Sequence, residues 1–140
     1  MKILISGASG LIGSALCEHL SSLGYQVGKY NTTGSNNVII GVEEEALRGA
    51  NGDNNTLLGV GAGTLSDGDN NTFLGVNTGR SNEGSNNTFL GFNVGGCNEG
   101  SENVFLGSYA GKYNEGNYDT YLGFESGFRT KNSEYNVYLG

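Results

Sequence analysis

A phased repeat is the feature that most constrains how this chain can fold. From Asn54 a six-residue motif returns every 16 residues as NNTLLG, NNTFLG, NNTFLG, ENVFLG and YDTYLG, and YNVYLG follows after one inserted residue. An earlier copy, NNVIIG, begins at Asn36 and is separated from the next by two extra residues. Seven copies therefore occupy the chain from about residue 34 onward. Periods of this kind are typical of solenoids, in which each repeat forms one coil.

Residues within a copy are numbered here as positions 1 to 16, counted from the first residue of the motif. Apolar residues recur at positions 4, 5 and usually 7, with a small residue at position 9. The alternation of Thr72, Leu74, Val76 and Thr78 is typical of a strand with one face inward. Glycine or asparagine at positions 10 and 15 indicates turns with positive φ. Each copy is therefore predicted to form a strand, a turn, a short second strand and a second turn.

Stacked coils would align each position into a column. With about 4.8 Å between paired strands, the position-5 leucines would form one continuous buried ladder. We expect the threonines and valines at position 3 to point inward as well, and the paired asparagines to hydrogen-bond along the axis. The predicted structural residues are the leucines and the glycines that follow them: Leu58, Leu74, Leu90, Leu106, Leu122, Leu139, Gly59, Gly75, Gly91, Gly107, Gly123 and Gly140.

The repeat motif resembles the head repeats of trimeric bacterial adhesins and of phage or bacterial tail-fibre proteins, whose related unit runs Asn-Ser-Val-Ala-Ile-Gly. The resemblance covers about residues 36 to 140, although the unit here is longer and carries an aromatic residue at position 4. It implies a homotrimer of side-by-side β-rolls at a cell surface, outside the cell or in a virion fibre. Surface glycans are expected ligands, contacted by exposed aromatic residues that could equally pack between chains: Tyr109, Tyr113, Tyr118, Phe124, Phe128 and Tyr135.

The first 30 residues follow a different pattern. An apolar strand pattern, KILISGA, leads into Gly7, Gly10 and Gly13 in the spacing G-x-x-G-x-x-G, and a helical pattern follows. This resembles the opening βα unit of NAD(P)-dependent sugar epimerases, the extended short-chain dehydrogenases, and implies that the three glycines approach a pyrophosphate. The expected acidic residue after the second strand is missing, and Tyr-x-x-x-Lys occurs only as Tyr25 to Lys29 inside that strand. We therefore predict a vestigial site, with no cofactor and no catalytic residues.

Together the two patterns predict a mainly β protein with two units. Residues 1–33 would form a Rossmann-like βα fragment that could cap the solenoid. Residues 34–140 would form a β-solenoid or β-roll of about seven 16-residue coils. The sequence contains no convincing signal peptide, because glycine and serine interrupt the apolar stretch after Lys2.

Composition argues against several classes of function. Fourteen acidic residues against seven basic ones give a net charge of -7, which disfavours nucleic acid as a partner. No apolar run approaches the roughly 18 to 20 residues of a membrane span, so we expect no membrane insertion. His19 is the only histidine and is expected on a solvated helix face, and the carboxylates repeated near position 14 are expected to be turn residues rather than metal ligands.

These observations predict a non-enzymatic structural and adhesive module. One alternative is an NAD(P)-binding, epimerase-like fragment with an incomplete active site. Another is an ice-binding solenoid, which would require the position-3 threonines to face solvent on a flat sheet.

Overall fold

The structure is a computed structural model that describes residues 34–40, 50–131 and 133–140. Within these ranges the chain forms a parallel β-solenoid of about 6 turns and contains no helix, and the predicted count of seven coils is not confirmed. The Rossmann-like fragment predicted over residues 1–33, with Gly7, Gly10 and Gly13, lies outside the described residues. Seven three-residue strands follow one another along the solenoid, about one turn apart: β1 (Val38–Ile40), β2 (Thr56–Leu58), β3 (Thr72–Leu74), β4 (Thr88–Leu90), β5 (Val104–Leu106), β6 (Thr120–Leu122) and β7 (Val137–Leu139).

The seven strands form one parallel sheet in sequence order, and equivalent positions of successive copies pair directly. Phe73 pairs with Phe89, for example, which confirms the 16-residue coil. Hydrogen bonds between coils continue through the turns, where the backbone N of Gly79 donates to the carbonyl of Val94 in the next coil at 2.8 Å. The predicted second strand is wrong for the described residues. Positions 8, 10 and 12 have positive φ (54° at Asn77, 65° at Gly79 and 55° at Ser81), and that backbone forms turns instead.

Side chains at position 4 fill the interior. Neighbouring rings stack with their centroids 4.7 to 5.0 Å apart and their planes within 9° of parallel. Because each ring covers the next, one coil supplies the core of its neighbour, and a single copy could not bury its own apolar group. We call this stack the aromatic column, and its fully buried members are Phe73, Phe89, Phe105 and Tyr121. Ile39 and Leu57, each 2% exposed, occupy position 4 in the coils before it.

The position-5 leucines form the predicted in-register ladder, but the prediction that the ladder is buried is wrong. Leu90 is 41% exposed, whereas the preceding Phe89 is fully buried. The cause is the opposite wall of the coil, where a Cβ on Gly95 would overlap the Phe89 ring. The interior is therefore only one ring wide, and one face of each strand must point outward. The outward ladder comprises Leu58, Leu74, Leu90, Leu106, Leu122 and Leu139.

A ladder of buried asparagines at position 2 runs beside the aromatic column, which confirms that asparagine amides bond along the axis. Asn87 accepts a hydrogen bond from the backbone N of Asn103 at 2.9 Å and donates through Nδ2 to the Gly100 carbonyl at 3.0 Å. The same pair of bonds recurs in the neighbouring coils, including those of Asn55 and Asn71. Each amide thus hydrogen-bonds with two backbone groups, as buried backbone polar groups require partners.

Position 15 is glycine for a different reason from the one predicted. Gly84 does not have positive φ, and the left-handed residue of this turn is Asn86 at position 1, with φ 60°. A Cβ on Gly84 would instead overlap the carbonyl oxygen of Gly100 in the next coil. Close approach between coils therefore excludes a side chain at Gly84.

Candidate functional site

The outward face of the sheet exposes apolar side chains along the described coils. Its columns are positions 3, 5 and 7, and none of their described members is charged. Several large apolar side chains are around 40% exposed or more, among them Leu74, Val76, Leu90, Phe92 and Phe124. Large contiguous apolar patches are uncommon on monomeric soluble proteins, so this face is a candidate contact surface. We call these three columns the outer face.

The position-3 column belongs to this outer face, so the prediction that it points inward is also wrong. Thr72 in β3 pairs directly with Thr88 in β4, and both are exposed. The reason is the period of two along a strand: once position 4 is inside, positions 3 and 5 must share the outside. The outward members are Val38, Thr56, Thr72, Thr88, Val104, Thr120 and Val137.

The aromatic side chains proposed for binding do not form one site. Tyr109 lies at the margin of the outer face, in edge contact with Phe92 and Phe124 at centroid distances of 5.5 and 6.2 Å. Tyr118 and Tyr135 stack on each other at position 1, 4.7 Å apart. A third group, Tyr113 and Phe128, makes an edge contact of 5.8 Å at another corner of the coils.

That last corner carries most of the described cations. Lys112 Nζ lies 5.5 Å from the Tyr109 ring centroid and 5.1 Å from that of Tyr113. The Arg129 guanidinium carbon lies 5.6 Å from the Tyr113 centroid and 5.5 Å from that of Phe128. Both cations are within the distance at which aromatic rings attract positive charge.

Beside these rings is a groove of about 380 Å³. One wall carries the ion pair between Lys131 Nζ and Glu115 Oε1, 2.9 Å apart. The hydrogen bond from Lys131 to Glu115, together with the charge of that carboxylate, raises the pKa of Lys131. We call this the corner groove, and its lining residues are Cys97, Glu99, Tyr113, Glu115, Arg129 and Lys131.

Inside the solenoid, one coil departs from the repeat in two linked positions. Asp119 replaces the position-2 asparagine, and Tyr121 replaces the position-4 phenylalanine. The Tyr121 hydroxyl donates to Asp119 Oδ2 at 3.0 Å, while Asp119 Oδ1 accepts from the backbone N and Nδ2 of Asn136 at 2.9 and 2.8 Å. Burial raises the pKa of Tyr121 well above its usual range. The buried carboxylate is therefore fully hydrogen-bonded, and this pair is structural.

Several sequence-predicted features belong neither to the outer face nor to the corner groove. The predicted vestigial nucleotide site, Gly7, Gly10 and Gly13, and also His19, fall outside the described residues, so the NAD(P)-binding alternative stays a prediction. The repeated carboxylates occupy the same turn in four successive coils, and none is buried: Asp67, Glu83, Glu99 and Glu115. Within 34–40, 50–131 and 133–140, no three acidic, histidine or cysteine residues are grouped as metal ligands. In the same ranges no helix is long and apolar enough to span a bilayer.

Sequence reasoning missed the corner groove, although a signal for it was present. The interior positions 2, 4 and 10 vary little from copy to copy, whereas position 12 changes from Leu65 through Ser81 and Cys97 to Tyr113 and Arg129. Such variation indicates that a column is free of the packing that holds the coils together. Such a column can carry a binding surface.

Comparison with known proteins adds no family. No family model matches the chain, and neither the curated proteins nor the solved structures include a significant match. The resemblance to adhesin and tail-fibre repeats therefore depends on the repeat residues alone. The structure supports only the architecture, a parallel β-solenoid compatible with β-roll repeats.

Proposed function

We propose that this chain is a non-enzymatic structural and adhesive repeat module of a bacterial surface adhesin or a phage-type tail fibre. It would act at a cell surface, outside the cell or in a virion fibre. The observation that carries the proposal is the outer face, an uncharged apolar surface that continues across seven paired strands. Its partner would be further copies of the same chain, with a homotrimer preferred, and glycans would be bound by aromatic side chains away from this face.

Charge and spacing both favour another copy as the partner. The chain has a net charge of -7, which would oppose close approach of two copies at most surfaces, but the described residues of the outer face carry none of that charge. Within each column of the outer face, successive side chains are separated by the strand spacing of about 4.8 Å, and each column extends for about 30 Å. A second copy offers columns with the same interval, so side chains of one face can fit between those of another along the whole length.

Solution mass tests the proposal. Light scattering or sedimentation should give three times the 14.6 kDa mass of the chain. Leu90→Glu places a charge in the middle of the outer face, at a side chain already 41% exposed, and should give a monomer that remains folded by circular dichroism. Asn86→Glu is the matched control, because Glu102 already occupies the same position in another coil. A wild-type chain that stays monomeric at high concentration would refute self-association.

Ice binding is a second candidate, favoured by the outward position of the threonine column. Thr56, Thr72 and Thr88 follow one another in register on the exposed side of the sheet, where hydroxyls at a regular interval could order water. Val104 interrupts the column before Thr120. Ice binding needs this face open to water, whereas self-association covers it. Thermal hysteresis that is present in the wild type and lost in Thr72→Lys would favour ice binding, and its absence in a monomeric wild type would exclude it.

A further inference from the structure

Two small residues lie together at positions 11 and 12 of the coil that precedes Tyr113. Gly96 and Cys97 stand one coil before Lys112 and Tyr113, in the same two columns. The backbone does not require glycine at Gly96, because its φ is not positive and an added Cβ would make an ordinary contact of 3.6 Å with Lys112. The groove beside the Tyr113 side chain is thus open where larger residues at these two positions would project.

The side chains around this space combine an aromatic ring with donors and acceptors. Tyr113 is 38% exposed and supplies the ring. Glu99 and Glu115 supply carboxylate acceptors, and Arg129 and Lys131 supply cationic donors. Two acidic and two basic groups leave the groove without net charge.

Arg129 is the cation best placed to meet a ligand. Lys131 is held by Glu115, but the Arg129 guanidinium has no ion-pair partner among the residues that the structure describes. Its five N–H groups are arranged in a planar fork that suits paired oxygen acceptors. Arg129 and Tyr113 both occupy the left-handed backbone region, with φ of 59° and 63°, which bulky residues rarely adopt. Other coils have serine or cysteine at this position, so the fold does not require a large side chain there.

We propose that the corner groove binds a neutral sugar, a hexopyranose at the end of a glycan. The apolar C–H face of the ring would pack on Tyr113, and adjacent hydroxyls would donate to Glu99 or Glu115 and accept from Arg129. A neutral polyol matches a groove of balanced charge with both donors and acceptors, whereas an anion would meet two carboxylates. The proposal specifies the ligand of the adhesive module proposed above and depends on that role, but it uses a different surface from self-association.

Amide shifts in a two-dimensional NMR spectrum test this proposal on the whole chain. The probes are methyl α-mannopyranoside, methyl β-galactopyranoside and N-acetylglucosamine, with glucuronic acid as an anionic comparison. At least one neutral sugar should cause saturable shifts confined to the groove residues, with the millimolar Kd expected of an open site. Tyr113→Ser, which introduces the residue found at Ser81 in the same column, should weaken binding at least tenfold.

Tyr118→Asn removes an exposed tyrosine outside the groove, at a position where other copies have asparagine, and should bind as the wild type does. No saturable shift with any of the three neutral sugars would overturn the proposal. So would shifts with glucuronic acid alone, or binding that survives Tyr113→Ser. The mass of the same samples separates the two proposals: a monomer that binds sugar refutes trimer formation only, and a trimer that binds none refutes the groove only.

Discussion

The aromatic column gives the sharpest test of how the solenoid is held together. Phe89 is fully buried and stacks between Phe73 and Phe105, with centroid distances of 5.0 and 4.8 Å. Phe89→Ala would remove the core of one coil and one stacking partner from each of its neighbours. Leu90→Ala is the matched comparison, because it shortens the next side chain on the same strand, which faces outward.

The expected magnitudes follow from burial. Phenylalanine to alanine in a packed core costs about 3 to 5 kcal/mol, and an aromatic pair contributes about 0.5 to 1.5 kcal/mol beyond its buried area. The coil cannot close over the cavity, because the axial hydrogen bonds of Asn87 hold its walls. We therefore expect the upper part of that range, about 4 to 5 kcal/mol. Leu90 is 41% exposed, and full burial of leucine contributes about 1.5 to 3 kcal/mol, so Leu90→Ala should cost about 1 to 2 kcal/mol.

Urea unfolding followed by circular dichroism measures both values. Each variant should be unfolded at two protein concentrations, because association through the outer face would make the midpoint concentration-dependent and add to the effect of Leu90→Ala. The reasoning predicts that Phe89→Ala lowers the midpoint much more than Leu90→Ala in the monomer. A Leu90→Ala cost equal to or greater than that of Phe89→Ala in the monomer would show that the buried column has been wrongly identified.

Three further outcomes are expected. Asn87→Ala leaves the buried backbone N–H of Asn103 without its partner, while the Gly100 carbonyl keeps its bond from Asn98, and should cost about 1 to 3 kcal/mol more than Asn86→Ala on the exposed side of the same motif, as measured by urea midpoints. Gly95→Ala should lower Tm sharply, because its φ is 57° and the methyl group would overlap the adjacent buried ring, whereas Gly96→Ala should leave Tm nearly unchanged. The raised pKa of Tyr121 means that the folded state keeps this proton after the unfolded chain loses it, so stability should fall as pH rises above about 10, and Tyr121→Phe should reduce that slope in urea titrations against pH.

Much of the architecture could be predicted from the repeat alone. The 16-residue spacing of the motif predicted parallel coils in register, and the recurrence of Asn71 and Asn87 predicted amide bonding along the axis. These features follow from sequence because stacking identical units brings identical positions together, whatever the shape of the coil. The candidate site was harder to predict. The sequence identified the aromatic residues near the C-terminal end as a set, but it did not predict that they lie at different corners of the coils.

What the sequence determined by itself is thus the period, the register and the membership of each column. Which column is inside was decided only by the tertiary structure. Positions 4 and 5 are both apolar, and a period of two assigns them to opposite faces without saying which face is buried. The opposite wall of the coil decides which face is buried, because the position-10 glycine approaches the position-4 ring so closely that no side chain fits between them. That contact joins residues six positions apart through the shape of the coil, and it leaves the leucines outside on the surface proposed for association.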